Sequence, residues 1–484
     1  MSDRYYIKTF GCQMNENDSE RIAQLLEGQG LEPALDLEAA DVVVFNTCTI
    51  RENADNKFYG RVNQLRELKR SRPELRIVVA GCLAQGEREA IFRRAPHVDV
   101  VVGTHALGRL PELLAQADGA RQFIAVEETE EVGDPFDELG AKRDGGANAW
   151  VTIQTGCDNS CAFCIVPQVR GPERSRPFAA IVDEVASLVA AGVSEVTLLG
   201  QNVNSYGRDI TRRLRAVDGE GEWTEVVGAS YLGDAPIMRI RPLFPELLRA
   251  VGSVPGVRRV RFTSPHPKDM RETTFRAMAE TSTVCESLHF PLQSGSDRVL
   301  SAMHRGYTAE RFLERLALAR SIVPDLAVTT DIIVGFPGET EDEFEETLAV
   351  TAAAGFDSAY TFIYSPRPGT EASALVDRFL HPVVVQERFE RLKAVVERSA
   401  LIKHQERVGR VEEVLIEGVS KRDSQTATGR TRQNKLVHLS GVDGAALAGS
   451  YVDVEVTAAR PHYLLGRLAG GVELPLQAAD SISA

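Results

Sequence analysis

The 484-residue chain predicts an α/β protein in three parts: an N-terminal doubly wound parallel sheet, a central incomplete barrel of six β/α units, and a small five-stranded C-terminal β-barrel. Three observations predict it. From Tyr5, short apolar runs alternate with longer helix-like segments, the rhythm of a parallel sheet. The same alternation restarts at Trp150 and repeats six times to Ile363. Beyond Arg410 it shortens into alternating strands separated by polar turns, the pattern of a small barrel.

Length and composition narrow the function classes. Hydrophobic content of 43% and charged content of 26% are those of a globular protein, and two to four domains are expected. No apolar run reaches the length of a membrane span and Met1 to Gly11 lacks a signal-peptide core, so a cytoplasmic protein with no membrane partner is expected. A net charge of -14 argues against a uniform coat for nucleic acid. Seven cysteines are too few and too clustered for a disulfide framework and point to metal binding.

In the first part, residues 3–120, strands are predicted at Tyr5 to Phe10, Asp41 to Phe45, Arg76 to Ala80 and Val98 to Val102. Open parallel sheets carry their functional crevice beyond the carboxyl ends of the strands. Cys12, Cys48 and Cys82 each follow one of the first three strands, so three strands deliver three thiols to one edge. Residues 121–146 include the stretch Glu127 to Glu138, where seven acidic residues fall with no base among them, and read as a solvated linker.

The second part, residues 147–400, has strand candidates at Trp150 to Gln154, Glu195 to Leu199, Arg258 to Thr263, Ser287 to Phe290, Ala327 to Ile333 and Ser358 to Ile363. Barrels of this kind carry function on the loops after the strands. The first such loop holds Cys157, Cys161 and Cys164. Four thiolates close a structural zinc, whereas three on a cubane iron-sulfur cluster leave one iron open for a small ligand. Residues 208–241, glycine-rich and weakly periodic, read as a surface insertion, and Cys285, with no thiol or imidazole nearby, as a core residue.

The third part, residues 401–469, has strand candidates at Val411 to Ile416, Ala427 to Arg430, Leu436 to Leu439, Tyr451 to Thr457 and Leu464 to Leu468. Lys403, Arg407, Arg410, Lys421, Arg422, Arg430, Arg432 and Lys435 gather around it, which suggests an RNA-binding barrel. Residues 470–484 read as a disordered tail.

Several long motifs carry a resemblance: Thr9 to Asn15, Asn46 to Ala54, Gln154 to Cys157, Cys164 to Pro167, Arg170-Gly171 with Glu173 to Pro177, Gly200 to Gly207, and Met303 to Thr308. They resemble the methylthiotransferase family of radical S-adenosylmethionine enzymes over nearly the whole chain, whose C-terminal RNA-binding barrel is the TRAM domain. The resemblance implies two [4Fe-4S] clusters, an auxiliary one on Cys12, Cys48 and Cys82 that carries the donated sulfur, and a radical-generating one on Cys157, Cys161 and Cys164. Two S-adenosylmethionine molecules are then used, one to methylate the sulfur and one to yield a radical that attacks the substrate. Gly200, Gln201, Ser294, Arg305 and Gly335 are expected beside this cofactor, with Arg305 reaching its carboxylate by two parallel hydrogen bonds.

The implied substrate is N6-dimethylallyladenosine at position 37 of tRNA, methylthiolated at C2, with Phe336 and Tyr360 as aromatic platforms for the unstacked base. The partners implied are the anticodon stem-loop of tRNA and an external one-electron reductant, and a monomer is expected. The alternatives are threonylcarbamoyl-adenosine, an aspartate of a ribosomal protein, or a non-catalytic iron-sulfur RNA-binding regulator.

Overall fold

A computed structural model of the chain describes residues 3–49, 52–117, 121–126, 146–216 and 240–473. Most of the expected acidic linker, most of the expected insertion and the tail beyond residue 473 lie outside the described residues.

Six parallel strands form the N-terminal sheet: β1 (Arg4–Thr9), β2 (Glu32–Pro33), β3 (Val42–Thr47), β4 (Arg76–Gly81), β5 (Val100–Val102) and β6 (Phe123–Ala125), in the order β2-β1-β3-β4-β5-β6. The apolar runs are continuous because both faces are covered. Val42, Val44, Val78 and Ala80 pack into one core, and Val43, Phe45, Ile77 and Val79 into another. The chain reverses its winding between β1 and β3, which opens a crevice where those two strands end.

The central unit contains β7 (Asn148–Thr152), a short hairpin of β8 (Gln154–Thr155) with β9 (Arg174–Ser175), then β10 (Glu195–Leu199), β11 (Arg259–Phe262), β12 (Ser287–His289), β13 (Ala327–Val334) and β14 (Ser358–Ile363). Two parallel three-stranded sheets, β7-β10-β11 and β12-β13-β14, join through a single bridge between Val260 and Val284. The result is an incomplete six-stranded barrel, left open along β14. The helices outside it bury one continuous core around Val151, Val196, Phe244, Phe275 and Phe312. The expected insertion begins as a helix, Arg208–Ala216, because Ile210 joins this core.

At the C-terminus, β15 (Val411–Val419), β16 (Thr426–Thr431), β17 (Leu436–Ser440), β18 (Tyr451–Ala459) and β19 (Leu464–Glu473) close into a barrel in the order β15-β16-β17-β19-β18. Strand β19 runs past the expected start of the tail because Val472 and Glu473 pair with Val452 and Tyr451. This barrel plugs the end of the half-barrel where the strands begin. Arg259 and Arg261 bond the carbonyls of Glu413, Arg430, Thr431 and Arg432, and Arg432 in turn grips Glu286 at 2.8 Å.

That interface takes three members out of the expected basic RNA-facing cluster. Arg407, Arg432 and Lys435 are paired internally, with Asp325, Glu286 and Asp357, while Lys421 and Arg422 remain exposed. Lys435 Nζ lies 2.6 Å from Asp357 Oδ1 with both side chains buried. A Lys435→Met substitution leaves a buried carboxylate without its partner and is expected to cost about 3–5 kcal/mol, read as a lower denaturant midpoint.

Candidate active site

The N-terminal thiols converge on the crevice between β1 and β3. Gly11, at φ +130°, lets the backbone turn so closely that a Cβ there would sit 2.2 Å from Cys48 Cβ. Cys12 caps the helix Gln13–Gly28, and Cys82 opens the helix that follows β4. Asn15 ties the set together: it accepts from Cys12 Sγ at 3.3 Å and donates to Asn46 Oδ1 and to the Thr47 carbonyl. A hydrogen bond with Cys48 pulls the Cys12 thiol down to about 6, whereas burial pushes the Cys82 thiol up.

The second set follows β8. Gly156 holds φ +74° where a Cβ would lie 2.0 Å from the Pro172 carbonyl oxygen, and the Cys157 N–H then donates to Gly171 O at 3.1 Å. Burial pushes the Cys164 thiol up to about 12 and raises Cys157 as well. Arg305 donates from Nη1 to Cys161 Sγ at 3.3 Å, from Nε to Tyr307 Oη and from Nη2 to Pro291 O. Three of its five N–H donors are thereby committed to the protein.

Of the other expected cofactor neighbours, Gly200 and Gln201 lie at the end of β10 beside Gln154, the first so tightly that a Cβ would come within 2.8 Å of Gln154 Cγ. Ser294 faces away, its Oγ 3.2 Å from Thr347 Oγ1, and Gly335 is held against Val385.

The barrel mouth gathers several polar groups from the strand ends. Gln154, Gln201, Asn202 and Gln293 each leave a buried side-chain carbonyl oxygen without a donor, an unusual density of orphaned acceptors. Ser264, Gln293 and His304 hold left-handed backbone conformations at φ 58°, 69° and 57°, the kind of strain that collects at functional sites. Burial, with Arg305 and Lys268 nearby, drives the His266 imidazole down to about 2, so it stays neutral. Burial also lifts the Glu173 carboxyl to about 7, although Ser205 Oγ donates to its Oε2 at 2.5 Å. The folded chain thus keeps a proton that the unfolded chain releases near 4.5, so stability falls as pH rises between those values. Glu173→Gln is expected to flatten that slope in thermal melts.

One segment joins the two thiol sets. Ile165, next to Cys164, packs with Val169 against Cys82. Arg170, ending the helix Val166–Arg170, donates from Nε to Cys82 Sγ at 3.3 Å and from Nη2 to Asp18 Oδ2 at 2.5 Å, fully enclosed. Thr152 and Asn17 add a bond of 2.8 Å between β7 and the N-terminal helix.

These residues fit the expected groups. Each set offers three free thiols, and a cubane takes one thiolate on each of three irons. The orphaned acceptors suit the ammonium and hydroxyl donors of S-adenosylmethionine.

Comparison with known proteins agrees with this geometry. Residues 4–103 match the uncharacterized protein family UPF0004, residues 151–350 the radical SAM superfamily, and residues 405–469 the TRAM domain. The chain is 50% identical to the tRNA-2-methylthio-N(6)-dimethylallyladenosine synthase of Acidothermus cellulolyticus, over 97% of this chain and 88% of that one. It is 48% identical to the synthase of the same name from Mycobacteroides abscessus, over 95% and 87%. In fold it is similar to the radical S-adenosylmethionine methyltransferase TsrM from Kitasatospora setae, with a TM-score of 0.50, 14% identity and 77% of each chain covered. With relatives of this identity aligned along almost its whole length and all three family models matched in order, the chain belongs to the methylthiotransferase family of radical S-adenosylmethionine enzymes.

Proposed function

We propose that the enzyme transfers a methylthio group to C2 of N6-dimethylallyladenosine at position 37 of tRNA, with a second [4Fe-4S] cluster beside the one that radical SAM membership brings. The observation that carries this is the direct connection of two separate three-thiol sets through Ile165 and Arg170. A single radical-generating site does not need it; delivery of sulfur from one set to a substrate activated at the other does.

Cys157, Cys161 and Cys164 would hold the cluster that binds S-adenosylmethionine, which would supply the one-electron chemistry needed at a carbon that lacks acidity. The chain itself binds, orients and excludes water. Cys12, Cys48 and Cys82 would hold the sulfur-bearing cluster, and the Asn15 network fixes the turns that carry those thiols. Gln154, Gln201, Asn202 and Gln293 would receive the cofactor's donors. Within this scheme residues 3–120, 147–400 and 401–469 act as the sulfur-carrying, radical and RNA-binding units. The names of the relatives and the TRAM match support tRNA as substrate, while among the described residues no helix is long and apolar enough to cross a membrane.

Anaerobic reconstitution with dimethylallylated tRNA, a reductant and S-adenosylmethionine, followed by nucleoside digestion, tests the proposal. A 2-methylthio product is expected, and its absence would sink the assignment. Parallel reactions with threonylcarbamoyl tRNA and with ribosomal protein separate the other members of the family. Formation of 5′-deoxyadenosine excludes a purely regulatory RNA-binding role.

A further inference from the structure

The loop from Cys157 to Cys164 is held on two flanks and open at one corner. On one flank Ile165 and Val169 pack against Cys82 of the N-terminal domain, and on another the Ala162 carbonyl accepts from Ala372 N at 2.8 Å. At the remaining corner Asp158 and Ser160 are exposed, and Asn159 Oδ1 between them accepts from Lys268 Nζ. Lys268 follows β11, and its stem passes Gly306, where a Cβ would lie 3.4 Å from Lys268 Cδ. Gly306 in turn adjoins Arg305, the donor to Cys161. The exposed corner of the loop is therefore tied to Lys268.

Lys268 is one end of a basic rim. Arg315, on the helix Ala309–Ile322, donates to the Pro267 carbonyl. Burial, then the nearby charges of Arg311 and Arg271, push the Arg315 pKa down, with Asp269 working the other way. Among the described residues Arg271 and Arg311 are exposed and have no ion-pair partner. Of the acids nearby, Asp269 pairs with Arg208 at 2.7 Å and Glu272 with Arg276 at 2.5 Å. Glu310 and Glu314, exposed on the same helix, do not balance the four bases. In a chain of net charge -14 the rim is a local reversal of sign.

The rim also lies away from the route open to RNA. It follows β11 and β12, the inner strands where the two sheets join, whereas β14 is the open edge. Of the two aromatic platforms expected for the base, Phe336 is fully buried and offers no face, and Tyr360, 58% exposed, stands on β14. Resting on the radical chemistry of the function proposed above, we infer that Lys268, Arg271, Arg311 and Arg315 dock an acidic one-electron carrier protein beside the cysteine loop. Encounters of this kind are small and transient, and opposite charge steers them more than it tightens them. The carrier is oxidised by one electron and the cubane reduced by one, with no bond in this chain formed or broken. The rim has to bring the carrier within reach of the loop and then release it. Separate faces let RNA and carrier be bound together.

The test uses the full reconstituted chain, with flavodoxin as the acidic carrier. Flavodoxin binding is measured directly, beside 5′-deoxyadenosine formation driven either by reduced flavodoxin or by dithionite. Arg271→Glu combined with Arg311→Glu is expected to weaken flavodoxin binding about 10- to 100-fold at low salt and to flatten its salt dependence. Dithionite-driven formation, iron content and affinity for the anticodon stem-loop RNA should stay at the wild-type level. Unchanged flavodoxin binding would overturn the inference. Loss of RNA affinity in its place would also overturn it and make the rim an RNA surface. Arg271→Gln combined with Arg311→Gln, expected to act in the same direction more weakly, keeps the test available if charge reversal costs iron. A wild type that forms 5′-deoxyadenosine but no methylthio nucleoside, with flavodoxin binding lost in the double variant, leaves the docking surface standing and the function fallen. Methylthio product with flavodoxin binding unaltered in the double variant does the reverse.

Discussion

Cys161→Ala is expected to abolish formation of 5′-deoxyadenosine, to below the detection limit of an anaerobic assay, while leaving the proposed N-terminal cluster in place. Three thiolates on a cubane leave one iron open, and Cys161 is the one that also receives a hydrogen bond from the buried Arg305. Its loss removes both a ligand and the partner of that charge. Iron should drop from roughly eight to roughly four per chain, with sulfide in proportion. Cys82→Ala should do the reverse, removing the N-terminal iron and the methylthio product while 5′-deoxyadenosine still forms. Loss of all iron from either variant would mean that the two thiol sets are not independent sites.

Much of this site was legible from local sequence. The cysteines lie at strand ends, and strand ends are readable wherever a five- or six-residue apolar run stops at a glycine or a short polar residue, as at Gly11 and Gly81. Strands β2 and β6 escaped because Glu32–Pro33 is exposed and Phe123–Ala125 is three residues long, so neither makes an apolar run. The basic residues near the C-terminal barrel were misleading for a different reason. Whether Lys435 faces RNA or Asp357 depends on a partner 78 residues away, which charge counting along the chain does not see. Arg305 shows the same limit, since its identity pointed to the site but its three bonds are set by Cys161, Tyr307 and Pro291 together. The orphaned acceptors at Gln154 and Gln293 exist only once the strands are side by side.

The placement of the C-terminal barrel constrains how RNA arrives. It closes the end of the half-barrel where the strands begin, through Arg259, Arg261 and Arg432, whereas the thiols and orphaned acceptors sit where the strands end. An RNA touching both must run along the outside of the unit, and β14 is the side left open.

Arg170→Gln is expected to strip or destabilise the N-terminal cluster although residue 170 belongs to the other thiol set's domain. The guanidinium is enclosed with Asp18; burial works against its charge, but Asp18 and the Cys82 thiol outweigh that and hold it charged. Removing one member of such a pair costs about 3–5 kcal/mol because the other charge is left buried. Removing a hydrogen bond to a ligand sulfur also lowers a cluster's reduction potential, and outer-shell partners of this kind are worth about 10- to 100-fold in metal affinity. The two effects separate in a cycle. Arg170→Met with Asp18→Leu removes both buried charges and should recover much of the thermal stability lost in Arg170→Met alone. Neither restores the bond to Cys82, so the N-terminal cluster's potential, followed by spectroscopic redox titration, should stay low in both variants. A potential that recovers with the stability would assign Arg170 to packing between the domains alone.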